Sequence, residues 1–374
     1  MTPADQETRP TSQSTPELQR IRTVAQISIA FAVVLFLLVQ ARFLLISLAT
    51  AIILFSLTSD AITSIARVHL GPVRVPNWLA SIVALLLISA ALLSLSAVIL
   101  SQINTVLSTT LAYTDRAPQA ISAMVAWLGP DAEKAVFNAV STLDVAGYLR
   151  TLAGQAGGIM QGTVLVILFV GFLFAERIWF TTKLESLFGD VKQAERVGRI
   201  VSSIIHRVNY YLLVKTLVSV VTGLMVYGVA RFFALDLAGA LGILTFVLNY
   251  IPSIGSIVAT VLVALVAYVQ LADGTTALVI FLIVGIIQFI NGNIIDPMLM
   301  GRALRVSSFG IIISLAFWAA VWGIPGMFLA VPIMVALMIV CSHVPGFRAI
   351  AVLLSREGLP ETDQDLDAPK RRRG

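Results

Sequence analysis

Long apolar runs constrain this chain more than any other feature of its sequence. A helix needs roughly 20 apolar residues to cross a hydrocarbon layer about 30 Å thick, and runs of that length recur along the chain. Because 58% of the 374 residues are hydrophobic and only 12% are charged, a water-soluble core of this size would not bury them all. The sequence therefore predicts an all-α, polytopic transmembrane protein.

The apolar runs predict about eight hydrophobic units. Six have an ordinary length for one crossing and lie at 23–41, 43–59, 78–100, 162–180, 208–230 and 276–295. The other two, at 238–271 and 309–341, are too long for one ordinary crossing, and each is interrupted by Pro and Gly. Either each long run crosses once as a kinked helix, or each folds back as a re-entrant hairpin of two half-helices.

The less apolar segments divide the chain into five regions. We expect a disordered cytoplasmic tail at 1–19, N-terminal transmembrane helices at 20–100, an extramembrane amphipathic insert at 101–161, a transmembrane core at 162–342 and a cytoplasmic basic tail at 343–374. Within the core, residues 181–207 carry five Lys or Arg among apolar positions at helical spacing. This pattern predicts a cytoplasmic amphipathic helix, either on the membrane surface or as a solvated connection.

Lysine and arginine are unevenly distributed among the loops, and this sets the expected orientation. Cytoplasmic loops are enriched in these residues, and the densest groups lie in 181–207 and after His343. Both termini are therefore expected in the cytoplasm, and the insert at 101–161 is expected outside. The same rule favours hairpins, because they put Arg302 in the cytoplasm and Asp273 outside, whereas single crossings reverse these positions.

Under the hairpin topology the core contains an inverted repeat. Residues 208–271 are a full crossing followed by a broken run, and residues 276–341 repeat that order. Many secondary transporters use this symmetry for alternating access. Any two helix pairs share this much pattern, however, so a chance similarity is the alternative interpretation.

Three clusters of Pro, Gly and polar residues interrupt the apolar core and predict a path through it. Backbone N–H and C=O groups in hydrocarbon must be paired, so a break survives at membrane depth only where it is buried in protein or faces water. The candidate path residues are Asn249, Tyr250, Pro252, Ser253, Gly255 and Ser256 in the first cluster, Gln288, Asn291, Asn293, Asp296, Pro297 and Gly301 in the second, and Gly323, Pro325 and Gly326 in the third. The alternatives are a simple kink at Pro252 and an interfacial position for the second cluster.

Three ionisable residues lie within or near the predicted spans, where charges are costly and tend to serve function. Asp296 precedes Pro297 near a membrane edge and is a candidate for cation or proton handling. Lys215 lies deeper, and it either reaches the surface or pairs with an acid. Glu176 adjoins Arg177, and it is either part of an interfacial pair or a coupling charge.

The sequence offers no pattern typical of a catalytic, cofactor or metal site. It has no His-Glu-x-x-His, no Walker-type phosphate loop and no Gly-x-Ser-x-Gly elbow, so neither an enzyme nor an ATP-driven pump is predicted. Cys341 is the sole cysteine and the three histidines are far apart, which argues against a metal ion. The net charge of +5 comes from Lys and Arg near the ends of apolar runs, where membrane orientation explains them without nucleic acid.

Three motifs in the last third of the chain carry a family resemblance. They read Asn-Tyr-Ile-Pro-Ser-Ile-Gly-Ser at 249–256, Asn-Gly-Asn-Ile-Ile-Asp-Pro-Met-Leu-Met-Gly-Arg at 291–302 and Trp-Gly-Ile-Pro-Gly-Met-Phe-Leu-Ala-Val-Pro at 322–332. With these motifs in this order, residues 20–345 resemble the autoinducer-2 exporter family of bacterial membrane proteins. The resemblance implies export of a small molecule across the bacterial inner membrane, a homo-oligomer and, in some relatives, Na⁺/H⁺ exchange. The motifs are architectural and identify no single substrate.

These observations leave three functional hypotheses. The first is a secondary transporter that exports a small polar molecule similar to autoinducer-2. The second is a monovalent cation/proton antiporter in which Asp296, Glu176 or Lys215 controls the pH dependence. The third is a non-transporting membrane scaffold that holds partners on the segments 101–161 and 181–207. In each case the protein is surrounded by membrane lipid and needs no cofactor.

Overall fold

The computed structural model describes residues 16–65, 77–113, 117–123, 125–142, 147, 151, 154, 156–300, 306–356 and 358. Within these ranges the protein is helical, contains no β-strand, and has eight helices that are long and apolar enough to cross a membrane. The prediction of an all-α, polytopic membrane protein is confirmed. The chain divides into two compact units, residues 1–45 and residues 46–374.

The described part of the chain consists mainly of α-helices. In chain order they are α1 (Pro16–Gln40), α2 (Arg42–Ile65), α3 (Asn77–Tyr113), α4 (Ala117–Ala123), α5 (Pro130–Ser141), α6 (Ala156–Glu176), α7 (Phe180–Phe188), α8 (Val191–Phe232), α9 (Ala238–Leu248), α10 (Ile254–Leu271), α11 (Gly274–Ile290), α12 (Asp296–Met300), α13 (Ser308–Trp322), α14 (Ile324–His343) and α15 (Arg348–Leu354). A π-helical segment at Asn291–Ile295 joins α11 to α12.

Helix α1 lies wholly within the first unit and is apolar along most of its length. Most of its large apolar side chains, among them Phe31 and Phe36, are more than half exposed. Lipid tails solvate apolar side chains of this kind, because the tails are as apolar as leucine.

Helices α2, α3 and α6 share a small apolar core in the second unit. Ala51, Ala84 and Val170 are buried there. The rings of Phe55 and Phe174 meet edge to face, with their centroids 4.9 Å apart, which is a favoured aromatic geometry.

The end of α3 differs from its predicted position. The helix continues to Tyr113 rather than ending near residue 100, because the residues after 100 include apolar positions such as Val106, which packs on the core of hairpin 1 described below. The insert predicted at 101–161 therefore begins inside a helix, and its later part contains the short helices α4 and α5.

Helix α8 combines two elements that the sequence analysis separates. The amphipathic helix predicted at 181–207 is interrupted at Gly189, whose φ is 63°. Asp190 then caps α8 by accepting a hydrogen bond from the backbone N–H of Lys192 at 2.9 Å. From there α8 continues through the span predicted at 208–230, because its 42 residues contain no proline to break it.

Both broken apolar runs fold back on themselves. In the first, the amide of Gln270 near the end of α10 hydrogen bonds to the backbone of Ala234 and Asp236, just before α9. In the second, the hydroxyl of Ser314 in α13 donates to the carbonyl of Ala330 in α14 over 2.8 Å. We call α9 with α10 hairpin 1, and α13 with α14 hairpin 2. The fold-back that the Lys and Arg distribution favours is present, and single kinked helices are not.

The two hairpins approach the middle of α8 from opposite ends. The open end of hairpin 1 packs near Val226 and Ala230 of α8, whereas α14 of hairpin 2 packs near Tyr211. Their closed ends meet, and the rings of Tyr250 and Phe328 have centroids 5.7 Å apart. The hairpins are thus inverted relative to each other, as the hairpin interpretation predicts.

Glycines allow α8 and α9 to approach closely. A Cβ on Gly223 would lie 2.8 Å from the carbonyl oxygen of Gly242, and a Cβ on Gly242 would lie 2.8 Å from the Cβ of Tyr227. Small residues at helix crossings are typical of membrane proteins, where close backbone contact replaces the hydrophobic effect as a source of packing energy. This contact holds hairpin 1 against one face of α8.

Candidate functional site

A cavity of about 510 Å³ opens beside the closed end of hairpin 1. Its wall comes from α8, hairpin 1, α11, the π segment and the start of α12. The polar side chains on this wall are Lys215, Asn249, Ser253, Ser256, Thr260, Gln288, Asn293 and Asp296. Apolar residues such as Ile257, Val261, Phe281 and Phe289 complete it. Half of the lining residues are thus polar, and placed polar groups beside apolar and aromatic surface are typical of a small-molecule site.

The turn of hairpin 1 is tight and locally strained. Pro252 has no N–H with which to continue a helix. Ser253 follows with φ 62° and ψ −48°, a region that side-chain-bearing residues rarely occupy. A Cβ on Gly255 would lie 1.8 Å from the carbonyl oxygen of Leu248, so glycine is required where α10 begins. These residues end one helix and start the next within five positions.

The π segment changes the direction in which the end of α11 presents its side chains. Residues eight apart in a regular α-helix lie about 80° apart around the axis. A π turn contains more residues and so rotates less with each one, which brings Asp296 back toward the face of Gln288. Both side chains line the cavity. Single π turns are frequent at functional sites.

Two buried asparagines tie the broken segments to α8. The amide of Asn249 donates to the hydroxyl of Ser219 over 3.0 Å, and the amide of Asn291 donates to the hydroxyl of Thr222 over 2.6 Å. The amide nitrogen of Asn291 also lies 3.5 Å from Oδ1 of Asn249. All four side chains are buried, so these hydrogen bonds satisfy polar groups that would otherwise be costly.

Tyrosines make a second set of contacts at the same level. The hydroxyl of Tyr250 donates to Thr216 over 2.7 Å, and the hydroxyl of Tyr210 donates to the carbonyl of Leu299 over 2.6 Å. The first contact joins the turn of hairpin 1 to α8, and the second joins α12 to α8. The cavity is therefore bounded on several sides by elements that α8 holds in place.

Lys215 and Asp296 form a buried ion pair on the cavity wall. Nζ of Lys215 donates to Oδ2 of Asp296 over 2.7 Å, and the two side chains are 4% and 21% exposed. Of the two sequence alternatives for Lys215, pairing with an acid is the correct one. The other carboxylate oxygen, Oδ1, is buried and has no hydrogen-bond partner among the described residues. Those residues contain no group of three or more His, Cys, Asp and Glu side chains placed to hold a metal ion.

Gln288 is a buried amide on the same wall. Its side chain is 5% exposed, and neither Oε1 nor Nε2 has a hydrogen-bond partner within the described ranges. A glutamine amide offers two acceptor positions and two donors. Leaving such groups buried and unpaired costs free energy.

Several predicted path residues support the cavity without lining it. Tyr250, Gly255 and Asn291 hold the turn of hairpin 1 and the π segment in place through the contacts above. Pro297 is exposed on α12. Gly301 lies outside the described residues.

The third predicted cluster forms the closed end of hairpin 2 and does not line the cavity. Gly323 has φ 68° and ψ −143° between the two helices, and Pro325 starts α14 near its N-terminus. A Cβ on Gly326 would lie 2.1 Å from the carbonyl oxygen of Trp318. These residues allow the hairpin to close tightly, and its apolar side chains pack with Ile251 in the turn of hairpin 1.

Glu176 lies away from the cavity wall. It forms an ion pair with Lys183 rather than with Arg177, and the paired side chains are more than half exposed. The structure thus gives no contact that would support Glu176 as a coupling charge.

The hydroxyl side chains of α8 also belong to the site, although they are not among the predicted path residues. Hydroxyl residues recur at every third position from the residue after Lys215, at Thr216, Ser219 and Thr222. This spacing puts them on neighbouring positions of one helix face. Thr260, on the cavity wall, also went unidentified. The regular spacing of these polar residues beside a lysine, within an apolar span, is the sequence pattern that could have indicated a polar face on α8.

Comparisons with known proteins agree on the class of this chain. The AI-2E family transporter profile matches residues 27–346. The AI-2 transport protein TqsA of Escherichia coli K12 is 30% identical over 298 residues, which cover 77% of this chain and 83% of that protein. A relative from Haemophilus influenzae is 29% identical over 301 residues, covering 75% and 82%. One from Borreliella burgdorferi is 29% identical over 220 residues, covering 58% and 60%. The names of the last two state transport but no substrate.

Proposed function

This chain belongs to the AI-2E transporter family, and on this premise we propose that it is a secondary transporter that exports a small polar molecule, such as autoinducer-2, across the bacterial inner membrane. The family and the eight long apolar helices make it a multi-pass membrane transport protein. TqsA is, by its name, a transport protein for AI-2. Extending this substrate and an export direction to the present chain is part of the proposal.

The cavity at the closed end of hairpin 1 is the observation that carries the proposal. A broken backbone survives at membrane depth only beside protein or water, and this break borders a cavity of about 510 Å³. That volume falls in the range of small-molecule sites. Two hairpins that approach from opposite ends suit alternating access, in which each end opens in turn around a central site.

Flux of labelled autoinducer-2 through proteoliposomes tests this function. We expect the full chain to move the label faster than protein-free vesicles do, and Asn249→Ala to lose most of that flux because the cavity wall loses its bond to Ser219. Asn138→Ala, on the exposed surface of α5, is the matched control and should behave as the wild type. Flux equal to that of protein-free vesicles would contradict the substrate, and full flux in a folded Asn249→Ala protein would contradict the site.

The ion pair on the cavity wall favours a second candidate, monovalent cation/proton antiport. Oδ1 of Asp296 is an oxygen ligand without a partner among the described residues, and carboxylate oxygens suit hard cations. Lys215 pairs with this carboxylate through its other oxygen, Oδ2. Ionisable groups at such positions commonly form ion or proton pathways.

A proton-sensitive dye inside proteoliposomes tests antiport. A Na⁺ pulse should move protons in the wild type and in Glu176→Gln, since Glu176 is remote from the cavity wall. Asp296→Asn should abolish the response. Retention of Na⁺-driven proton movement in Asp296→Asn would exclude this carboxylate as the coupling group.

Orientation and assembly complete the proposal. The Lys and Arg distribution supports cytoplasmic N- and C-termini, and the family resemblance supports a homo-oligomer. Native mass spectrometry of the full chain released from nanodiscs measures the assembly, and a monomer under these conditions would contradict it.

A further inference from the structure

Gln288 differs from the other buried amides near the cavity. Asn249 and Asn291 donate to hydroxyls of α8, and Lys215 donates to a carboxylate. Gln288 is as deeply buried as these residues, yet both polar atoms of its side chain lack a hydrogen-bond partner within the described part of the chain. Its side chain lies on the wall of the cavity, and both polar atoms are covered in this structure, so a bound molecule would reach them when the side chain rotates into the cavity.

A structural role does not explain this residue. A buried amide without partners destabilises the protein relative to an apolar side chain of similar shape. Leucine would fill the same position on α11 without that cost, and α11 is otherwise strongly apolar. The amide of Gln288 is therefore expected to serve a state in which a bound molecule completes its hydrogen bonds.

The surrounding charges indicate what kind of molecule would make those bonds. The charged side chains on the cavity wall are Lys215 and Asp296, and they neutralise each other. Phe281, Phe289 and Ile257 offer apolar surface nearby. Because polar side chains form half of the wall, a site of this composition suits a neutral molecule with a short carbon frame and several hydrogen-bonding groups.

We propose that Gln288 is the specificity-determining residue of this cavity, where its amide binds adjacent hydroxyl groups of a neutral solute by donating to one and accepting from the other. The inference rests on the proposed transport function, because it assigns the recognition step to one side chain of that site. A site built to pair with a polar group rejects analogues that lack it, since its own buried groups then stay unpaired.

Ligand-induced thermal stabilisation of the purified full chain tests the proposal. The probes are erythritol, which carries adjacent hydroxyls on a four-carbon chain, and butane-1,4-diol, which has the same chain without adjacent hydroxyls. A ligand that binds the folded state raises the melting temperature. We expect erythritol to raise it more than butane-1,4-diol does in the wild type, and this difference to disappear in Gln288→Leu.

Three variants distinguish recognition from a structural effect. Gln288→Leu without ligand should melt at or above the wild-type temperature, whereas a structural glutamine would make it melt lower. Gln288→Glu, which has the size of glutamine and lacks the donor when it is ionised, should at a pH that ionises it weaken erythritol binding about tenfold, as loss of one hydrogen bond to a buried group implies. Gln102→Leu, an amide of α3 that lies near Gly239 and outside the cavity, is the matched control and should retain the wild-type difference.

Flux measurements separate this proposal from the transport function on which it rests. If autoinducer-2 is the substrate, Gln288→Leu should raise its KM about tenfold to a hundredfold while kcat changes less. An erythritol difference that depends on Gln288 supports the recognition role even where autoinducer-2 does not cross, and then the transport proposal alone fails. An equal erythritol difference in the wild type, Gln288→Leu and Gln288→Glu overturns the recognition role, whatever the flux.

Discussion

Lys215 and Asp296 are buried deeply enough that each depends on the charge of the other. Asp296→Asn leaves the ammonium group of Lys215, 4% exposed, without a counter-charge. We expect this variant to lose about 3 kcal/mol of unfolding free energy, because removing one member of a buried pair leaves an uncompensated charge. Chemical denaturation of the protein in detergent measures the loss.

Two companion variants check this explanation. Adding Lys215→Met to Asp296→Asn removes both charges, and most of the lost stability should return. Lys183→Met breaks the exposed pair with Glu176 and should change the unfolding free energy by less than about 1 kcal/mol. A double variant as unstable as Asp296→Asn alone would show that the charges do not account for the loss.

Ser253 stores backbone strain at the turn of hairpin 1. Its φ of 62° with ψ −48° is open to glycine but costly for serine. Ser253→Gly should therefore raise the unfolding free energy by about 1 kcal/mol. Ser256→Gly, inside α10, is the opposite control and should lower it by about 1 kcal/mol. If both variants lose stability, the strain at Ser253 does not dominate its energetics.

At the level of residues, the sequence indicated the amide and carboxylate side chains of the site better than its hydroxyl side chains. Asn249, Gln288 and Asp296 stand out because amides and carboxylates are costly inside apolar runs. Ser219 and Thr222 do not stand out in the sequence. A serine or threonine hydroxyl can donate to a backbone carbonyl in the preceding turn of its own helix, so it is tolerated at any position of an apolar helix. Thr222 makes such a bond to Val218 as well as accepting from the π segment.

The closed ends of both hairpins depend on glycines that have no room for a side chain. Gly255→Ala would put a Cβ 1.8 Å from the carbonyl oxygen of Leu248, and this overlap requires α9 and α10 to separate. We expect a loss of about 3 kcal/mol in unfolding free energy, with a similar loss for Gly326→Ala. Denaturant unfolding in detergent measures both.

Gly228→Ala is the matched control for these substitutions. It lies within α8, and a Cβ there meets no atom within 4 Å. The variant should be unchanged or more stable by about 1 kcal/mol, because alanine favours the helix. Equal losses at the three positions would indicate that glycine itself, rather than the tight turns, is required.

At the level of helices, the Lys and Arg distribution and the Pro and Gly breaks predicted the two hairpins. The continuity of α8 escaped prediction because hydropathy falls toward its N-terminal half, while nothing in 191–232 stops a helix. The π segment also escaped prediction. Its Asn-Gly-Asn sequence is typical of a turn, whereas the bonds from Asn291 to α8 and from Asn293 to the carbonyl of Phe289 help to hold it in a helical path.

At the scale of the whole molecule, the opposing hairpins require the ends of the core helices to face different compartments. Asp273 lies at the turn between α10 and α11, and Lys192 lies at the start of α8. Single cysteines at these two positions, in a Cys341→Ser background, should react with a membrane-impermeant maleimide from opposite sides. We expect labelling of Asp273→Cys from the periplasm and of Lys192→Cys only after the membrane is permeabilised.

Same-side labelling of the two positions would contradict the hairpin topology across the membrane. The cytoplasmic position predicted for Arg302 bears on the same question, and that residue lies outside the described ranges. Charge alone predicts this arrangement, but the meeting of the two closed ends does not follow from charge. That contact depends on the pairing of Tyr250 with Phe328 and on the apolar cluster around Ile251.

The extra residue in the π segment affects which sequence changes the protein can tolerate there. One extra residue in a single turn is formally an insertion, so the loss of one in-frame codon would return Asn291–Ile295 toward a regular α-helix. Deleting Gly292 would leave Asp296 seven positions after Gln288, about 20° apart around a regular helix, so Asp296 should still face Lys215 and flux should persist; loss of flux in the deletion variant alone would contradict this. Gly292→Ala keeps the codon count, has open space for its Cβ, and should retain flux in the same vesicle assay. The position would then tolerate a change in the number of residues, as long as Asp296 keeps the face that it presents to Lys215.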